Sequence, residues 1–442
     1  MQYRMRDRAE MHTLSRKIVL ATVGSLGDLH PFIALGRALR DRGAQVRLAC
    51  AGEYRRKVEG AGLEFYELRP DFDEIQRDLG MNREQLTRQV VKHSDFLFQR
   101  LVLPYVRQSY EDMMIAAADA DLILTSSLAF GARLAAEKRR IPWIAVVLQP
   151  MMFLSAHDPP VLAGAEWFSA LLKRLGVPAT RRAFAALKFG VRWRLRHVRE
   201  LRLQLGLAPS RLDPLFDGQF GTAGAIGLYS ELLGQIQPDY PRPTSIVGFA
   251  AFDSADGSPA ALPSPLAAFL DAGTPPLVFT LGSLIIHSAG DFYSQSLELS
   301  RNAKRRAVLL VGEDSAERLQ RLASADIFVC AYAPHSLLFP RGAAIIHHGG
   351  MGTLGQALRA GRPQLIVPYF ADQVDNADRA ARLGVARVTT PRRYHRRLAA
   401  SEMALLLGER HGHGARAREV ADSLAAEDGA ERAASIILDT LQ

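Results

Sequence analysis

The sequence predicts an α/β protein of two domains, each built on a parallel sheet, facing one another across a cleft. Three observations predict it. The chain has 442 residues, more than one ordinary core accommodates, so two domains of about 200 residues are the default. An apolar strand running into a Gly-Ser turn and then a helix occurs twice, at Lys17–Ser25 and at Leu277–Ser283. Between the two, Pro238, Pro241, Pro243, Pro259, Pro263 and Pro265 mark a connecting stretch that local structure does not cross easily.

The elements follow in order. Lys17–Val23 is β-branched and apolar, as a buried strand is, and Gly24-Ser-Leu-Gly-Asp28 turns it into a helix expected near His30-Pro31, with proline in the first turn. Gln45–Cys50 is the next strand, which completes a βαβ unit and implies parallel pairing. Asp121–Ser126 and Trp143–Leu148 read as later strands around the helix Ala129–Arg139, and Ala225–Tyr229 as the last of this half. The island Ile246–Phe252 reads as a strand within the connection. The pattern then restarts with strands at Leu277–Leu281, Ala307–Val311, Ile327–Cys330, Ala343–His347 and Gln364–Val367, and helices at Ala399–Leu407 and Arg418–Leu438. The expected organisation is an extension over 1–16, a Rossmann-like domain over 17–235, a linker over 236–266 and a second Rossmann-like domain over 267–442. The last helices of the second domain are expected to pack back on the first. In such sheets ligands bind beyond the carboxyl ends of the strands.

Composition excludes several classes. A hydrophobic share of 48% and a charged share of 23% describe a folded, water-soluble chain. No apolar run reaches the ~18 residues that span a bilayer, and Met1–Arg16 lacks the apolar core of a signal peptide. The two cysteines, Cys50 and Cys330, make neither a disulfide framework nor a zinc motif, which fits a reducing cytoplasm. The net charge of +9 is concentrated in 173–202, where Lys173, Arg174, Arg181, Arg182, Lys188, Arg192, Arg194, Arg196, Arg199 and Arg202 alternate with apolar residues at helical spacing. That stretch fits a solvated helix face, or peripheral contact with an anionic membrane surface or an acidic acceptor. No nucleic-acid motif accompanies it, so nucleic acid is not expected as a partner.

The strongest chemical feature is His347-His-Gly-Gly-Met-Gly-Thr353, leaving a strand and entering a helix. Glycines let backbone approach a ligand, Thr353 offers a hydroxyl, and a helix amino end offers free N–H groups and a positive dipole. The combination suits a diphosphate, with His348 as a further donor. Beyond the next strand, Asp372-Gln373 sets a carboxylate beside an amide. That pairing matches the hydrogen-bonding needs of neighbouring sugar hydroxyls. Each piece also has a plain reading, a strand–helix turn for the first and a capped loop for the second. Asp71-Phe-Asp73 and Asp119-Ala-Asp121 have a spacing that some metal sites use, but both sit where Asp is a common turn residue. No metal and no resident cofactor are expected.

His348-Gly-Gly-x-Gly-Thr353 followed by Asp372-Gln373 resembles the donor signature of family 1 glycosyltransferases with the GT-B fold. The resemblance implies that Tyr332, opening Tyr332-Ala-Pro-His335, stacks on a nucleotide base. It also implies that Ser283 helps hold the diphosphate, and that His335, His348, Gly350, Gly352, Thr353, Asp372 and Gln373 belong to the donor site. In the amino half, Gly24-Ser-Leu-Gly-Asp28-Leu-His-Pro31 resembles the family's first loop. There a general base stands three residues before the proline, the place of Asp28, with His30 as its rival and a simple helix cap as its plain role. Fragments such as Leu154-Ser-Ala-His157 and Asp372-Gln373-x-Asp375-Asn376-Ala377 also resemble rhamnosyltransferases of bacterial glycolipid synthesis, whereas His348 and Thr353 follow the sterol- and macrolide-glycosylating pattern. The implied reaction is an inverting, metal-independent transfer of glucose or rhamnose from a UDP- or dTDP-sugar to an apolar acceptor. Lipids, hydroxy-fatty acids, sterols and polyphenols are its candidate acceptors. Met151, Met152, Phe153 and His157, near Trp143, Trp167 and Phe168, are expected to line the acceptor pocket. The alternatives are a sugar-nucleotide 2-epimerase of the same fold and a non-catalytic partner that binds sugar nucleotide.

Overall fold

The computed structural model describes residues 15–221, 223–254, 256–257 and 260–441; the expected extension over 1–16 lies almost wholly outside them. The first sheet has seven parallel strands in the order β3-β2-β1-β4-β5-β6-β7. They are β1 (Lys17–Ala21), β2 (Gln45–Cys50), β3 (Glu64–Glu67), β4 (Leu122–Thr125), β5 (Trp143–Val147), β6 (Ala225–Gly227) and β7 (Thr244–Ile246). The second has six parallel strands in the order β10-β9-β8-β11-β12-β13. They are β8 (Leu277–Thr280), β9 (Ala307–Leu310), β10 (Ile327–Cys330), β11 (Ala344–His347), β12 (Gln364–Ile366) and β13 (Ala386–Val388). The central strands β1, β4, β8, β9 and β11 are almost entirely buried, as parallel strands covered on both faces must be.

Several boundaries differ from the sequence reading. The island Ile246–Phe252 is a strand only at Ile246, where β7 ends, and the helix expected over Arg418–Leu438 is two, His413–Leu424 and Gly429–Thr440. The first helix, α1 (Leu26–Asp41), begins before His30. Ser25 is its N-cap, accepting from Gly27 N–H, and Asp28 closes a capping box on Ser25 N–H, an arrangement that starts a helix strongly. Pro31 therefore lies inside the helix rather than in its first turn. Strand β7 lies inside the stretch expected as linker and pairs with β6 in the first sheet, so that sheet continues past residue 235.

Six helices matter for function: α1, α2 (Glu166–Leu175), α3 (Val177–Arg194), α4 (Met351–Arg359), α5 (Gln373–Arg382) and α6 (Gly429–Thr440). Helix α6 packs on α1, and its Ala433, Ala434 and Ile437 share a core with Leu29, Phe32, Ile33 and Leu35. The end of the described chain thus completes the first domain.

The two domains are also joined by a buried ionic cluster. Arg379 on α5 donates from Nη1 to Asp158 Oδ2 at 2.6 Å and to the Leu233 carbonyl at 2.7 Å, and from Nε to Asp375 Oδ2 at 2.7 Å. Asp375 in turn accepts from Val161 N–H at 2.9 Å. Arg379 and Asp375 have only 2% and 1% of their side chains exposed. Replacing Arg379 by Met strands two carboxylates at the interface, which should cost about 3–5 kcal/mol. The half-exposed Arg382, 3.8 Å from the same Asp158, should cost under about 1 kcal/mol when replaced in the same way. Chemical denaturation of the two variants measures the difference, and equal losses would disprove the bridging role of Arg379.

Candidate functional site

The donor loop is shaped by His347, a buried residue at the end of β11. Gly349 N–H can only donate, and it points at His347 Nδ1 at 3.1 Å. The proton therefore sits on Nε2, which donates to Gln364 Oε1 on β12 at 2.8 Å. Burial pushes the His347 pKa down to about 4, so this neutral tautomer persists. The loop then turns through Gly349 at φ +89°, a conformation open to glycine, where an added Cβ would lie 2.9 Å from Ile366 and 3.0 Å from the Gln373 carbonyl. His348 follows the same logic. Cβ atoms at Gly282 or Gly350 would collide with its imidazole, so the two glycines form the slot that holds the ring. Gly350, expected to admit a ligand, thus admits His348. Gly352 instead faces open space, with nothing within 4 Å of its notional Cβ. His348 Nδ1 is buried without a partner among the described residues. Burial, and then the neighbouring His347 and His335, push its pKa down to about 3. Gly350 caps α4, and Thr353 lies buried in its first turn. Ser283 sits in the short helix after β8, next to Gly282, and β8 pairs directly with β11.

The second donor element follows β12. Ala371 adopts φ +54°, a strained conformation for alanine, and delivers Asp372 to the amino end of α5. Asn376 donates from Nδ2 both to Asp372 Oδ2 at 2.8 Å and to the Gly349 carbonyl at 3.0 Å, tying the two loops together. Gln373 is buried, and its Oε1 accepts from Tyr369 N–H at 2.9 Å and Phe370 N–H at 3.4 Å. Its acceptor oxygen thus serves the loop.

Asp28 stands on the opposite wall. Its Oδ2 accepts from Ser25 N–H at 2.9 Å, and a Cβ on Gly24, at φ +145°, would collide with this carboxylate. Burial raises the Asp28 pKa to about 6 against the opposing Ser25 hydrogen bonds. Asp372 is also raised to about 6, first by burial, with the charge of Asp28 adding to it. The charge of Asp28, in the first domain, thus reaches Asp372 in the second. His30 lies edge-on to Phe252 at 5.4 Å. Its pKa is pushed down to about 3 by burial and then by Lys57, which makes it a far weaker base than Asp28.

Tyr332 is held by a residue that sequence reasoning missed. Its hydroxyl donates to Asp253 Oδ1 at 2.7 Å, while Ser336 N–H donates to Oδ2 at 2.6 Å. Asp253 thereby fixes the Tyr332–Ser336 turn. His335 stacks on Phe339 at 4.4 Å, and burial lowers its pKa. The acceptor residues divide differently from expectation. Phe153 is a core side chain, stacked on Tyr240 at 4.1 Å and Phe220 at 5.6 Å, and Met152 is buried with it. Met151 is half-buried and His157 is exposed, its Nε2 accepting from Arg181 at 3.2 Å. The paired acids have structural partners: Asp71 caps a helix through Glu74 N–H, Asp119 pairs with Lys17 at 2.8 Å, and Asp121 accepts from Lys17 N–H at 2.8 Å.

Gly349 and Gly352 separate fold from ligand. Gly349→Ala should cost about 1–3 kcal/mol of stability through the strained φ and close contacts. Gly352→Ala should leave stability unchanged or slightly higher, yet weaken UDP or dTDP binding if the ligand fills that space. Thermal unfolding and calorimetric titration together check both; unchanged nucleotide affinity in Gly352→Ala would place the ligand elsewhere.

Comparison with known proteins bears on the same residues. Residues 18–156 match the glycosyltransferase family 28 N-terminal domain, and residues 302–438 match the erythromycin biosynthesis protein CIII-like C-terminal domain. The chain is 30% identical to O-mycaminosyltylonolide 6-deoxyallosyltransferase of Streptomyces fradiae, over 95% of this chain and 96% of that one. It is also 30% identical to vancomycin aglycone glucosyltransferase of Amycolatopsis orientalis, over 96% and 98%. Its fold is similar to that of the glycosyltransferase VinC, solved in complex with dTDP, with a TM-score of 0.65 and 18% identity over 96% of this chain and 99% of that one. With two parallel-sheet domains and these relatives over nearly its whole length, the chain belongs to the family 1 glycosyltransferases of GT-B fold.

Proposed function

We propose that this glycosyltransferase moves a hexose, glucose or rhamnose, from a UDP- or dTDP-sugar to a hydroxyl of an apolar acceptor, with inversion at the anomeric carbon. Lipid, hydroxy-fatty acid, sterol and polyphenol hydroxyls are the acceptor class. The observation that carries this reading is that Asp28 at the start of α1 and Asp372 at the start of α5 come from different domains, that burial holds both near a pKa of about 6, and that the charge of Asp28 reaches Asp372. One carboxylate is available to the acceptor and the other to the sugar. The acceptors named in the two relatives, O-mycaminosyltylonolide and the vancomycin aglycone, support a small-molecule acceptor.

In this mechanism Asp28 takes the acceptor's hydroxyl proton as the oxygen attacks the anomeric carbon from the face opposite the leaving group. The bond from that carbon to the diphosphate breaks, and the nucleoside diphosphate departs. Its growing negative charge meets the amino end of α4, the Thr353 hydroxyl, Ser283 and the His348 imidazole, all neutral donors preset in a dry site. Asp372 and the Gln373 amide hold sugar hydroxyls, and Tyr332 receives the base. No metal ion is assigned a role.

Three outcomes test this. Asp28→Asn, which keeps an acceptor oxygen in the capping box, should lower kcat by about 10²–10⁴-fold while nucleotide-sugar affinity stays unchanged. Mass-spectrometric detection of conjugates from UDP-glucose and dTDP-rhamnose with hydroxy-fatty acid, sterol and flavonoid acceptors provides the readout. A near wild-type rate in this variant removes Asp28 as base, and epimerised donor without conjugate favours the isomerase. A base must be ionised to act, so kcat/KM should fall as pH drops through about 6 and stay flat just above it. Turnover should survive a chelator; a strict requirement for added magnesium would overturn the metal-free part.

A further inference from the structure

Helices α2 and α3 pack inward with Leu172 and Phe184, both buried, yet they are also apolar on the outside. Along α2 the outward positions are Trp167, Ala170, Leu171, Arg174 and Leu175. Along α3 they are Arg182, Ala185, Ala186, Phe189 and Trp193. Trp167, Phe189 and Trp193 are 71%, 67% and 64% exposed. A helix apolar on both sides calls for a cover on both sides. The first domain covers the inner face, and nothing among the described residues covers the outer one.

Charge identifies the cover. From Trp167 to Arg199 the sequence contains nine Lys and Arg and no Asp or Glu, which equals the net charge of the whole chain. Lys173, Lys188, Arg194 and Arg196 reach carboxylates elsewhere. Arg174, Arg181, Arg182, Arg192 and Arg199 have no carboxylate within ion-pair distance among the described residues. The Arg196 and Arg192 guanidiniums lie over the Trp193 and Phe189 rings, 5.2 and 6.0 Å from the ring centroids. Aromatic rings flanked by arginines without acidic balance suit the boundary between headgroups and acyl chains, where rings enter the interface and guanidiniums meet phosphates. A protein partner's face would ordinarily be matched by mixed charges and a polar rim.

We propose that the α2–α3 hairpin is a docking surface for an anionic lipid bilayer. No helix among the described residues is long or apolar enough to cross a membrane, so the contact is peripheral. Its position bears on the chemistry. Ser169 Oγ accepts from Leu162 N–H at 2.9 Å, Arg181 bonds His157, and Lys173 reaches Asp378 on α5 at 3.4 Å. The hairpin is therefore anchored to the 155–162 loop and to the donor helix, beside the cleft. A docked enzyme would hold its acceptor side near the bilayer. The surface itself does not depend on which acceptor is used.

The full chain, sedimented with vesicles of phosphatidylcholine alone or with about 30 mol% phosphatidylglycerol, tests this. Binding to the anionic vesicles should be about tenfold stronger, weaken with salt, and shift tryptophan emission to the blue, since Trp167 and Trp193 are two of the three tryptophans. Phe189→Ser combined with Trp193→Ser, and separately Arg182→Glu with Arg192→Glu, should each abolish the preference. Transfer to a water-soluble acceptor should be unaffected, because these side chains are outside the cleft. Absence of binding to anionic vesicles, equal binding to both compositions, or binding unchanged in both variants would overturn the proposal. So would a concentration-dependent dimer dispersed by Phe189→Ser, which would assign the face to a second copy of the chain.

Discussion

A guanidinium removed from water must have its charge answered at close range, and at Arg379 the answer comes from both domains. Asp375 lies on its own helix, while Asp158 and the Leu233 carbonyl belong to the other domain. Burial of this cluster gives the interface a definite register, since a displaced Arg379 would leave unpaired charge in a dry place. The register reaches the chemistry directly. Asp375 stands between Asp372 and Asn376 at the start of α5, and Asn376 holds the donor loop at Gly349. One ionic cluster therefore fixes where Asp372 stands relative to the domain that carries Asp28.

The cleft uses burial in opposite ways on its two kinds of group. It raises Asp28 and Asp372 toward neutrality, and it lowers His30, His335, His347 and His348 away from the charged form. The resting site thus favours weakly charged groups. In the proposed mechanism an arriving diphosphate therefore meets neutral donors, His348 among them, rather than a cation.

What was legible in the sequence was what short range determines. The alternation of apolar strand, glycine turn and helix located nearly every central strand to within a residue or two, and the glycines around His348 marked the donor loop. The edge strands β3, β7 and β13 were not legible, because Glu64–Glu67, Thr244–Ile246 and Ala386–Val388 mix polar with apolar residues, unlike the equally short but apolar β4, β8 and β10. The start of α1 is masked by Pro31, whose favoured first-turn place points past the Ser25–Asp28 capping box that begins the helix. Asp253 and Asp158 gave no local signal, since Tyr332 and Arg379, which they hold, lie 79 and 221 residues away. Met152 and Phe153 show the same limit from the other side. An apolar cluster after a strand reads identically whether it lines a pocket or fills a core, and here Tyr240 and Phe220 close over it.

Helix α6 gives the first domain a seam that is far apart in sequence. Its alanines and Ile437 cover the same face of α1 whose first turn contains Asp28. On the ribosome, the first domain cannot finish its own core until residues 429–440 have emerged, after the whole second domain. The amino-terminal half must wait with part of α1 uncovered, contrary to the usual vectorial order in which the first domain folds first. The wall of the cleft that bears Asp28 is therefore completed last, when the donor domain is already synthesised and available to pack beside it.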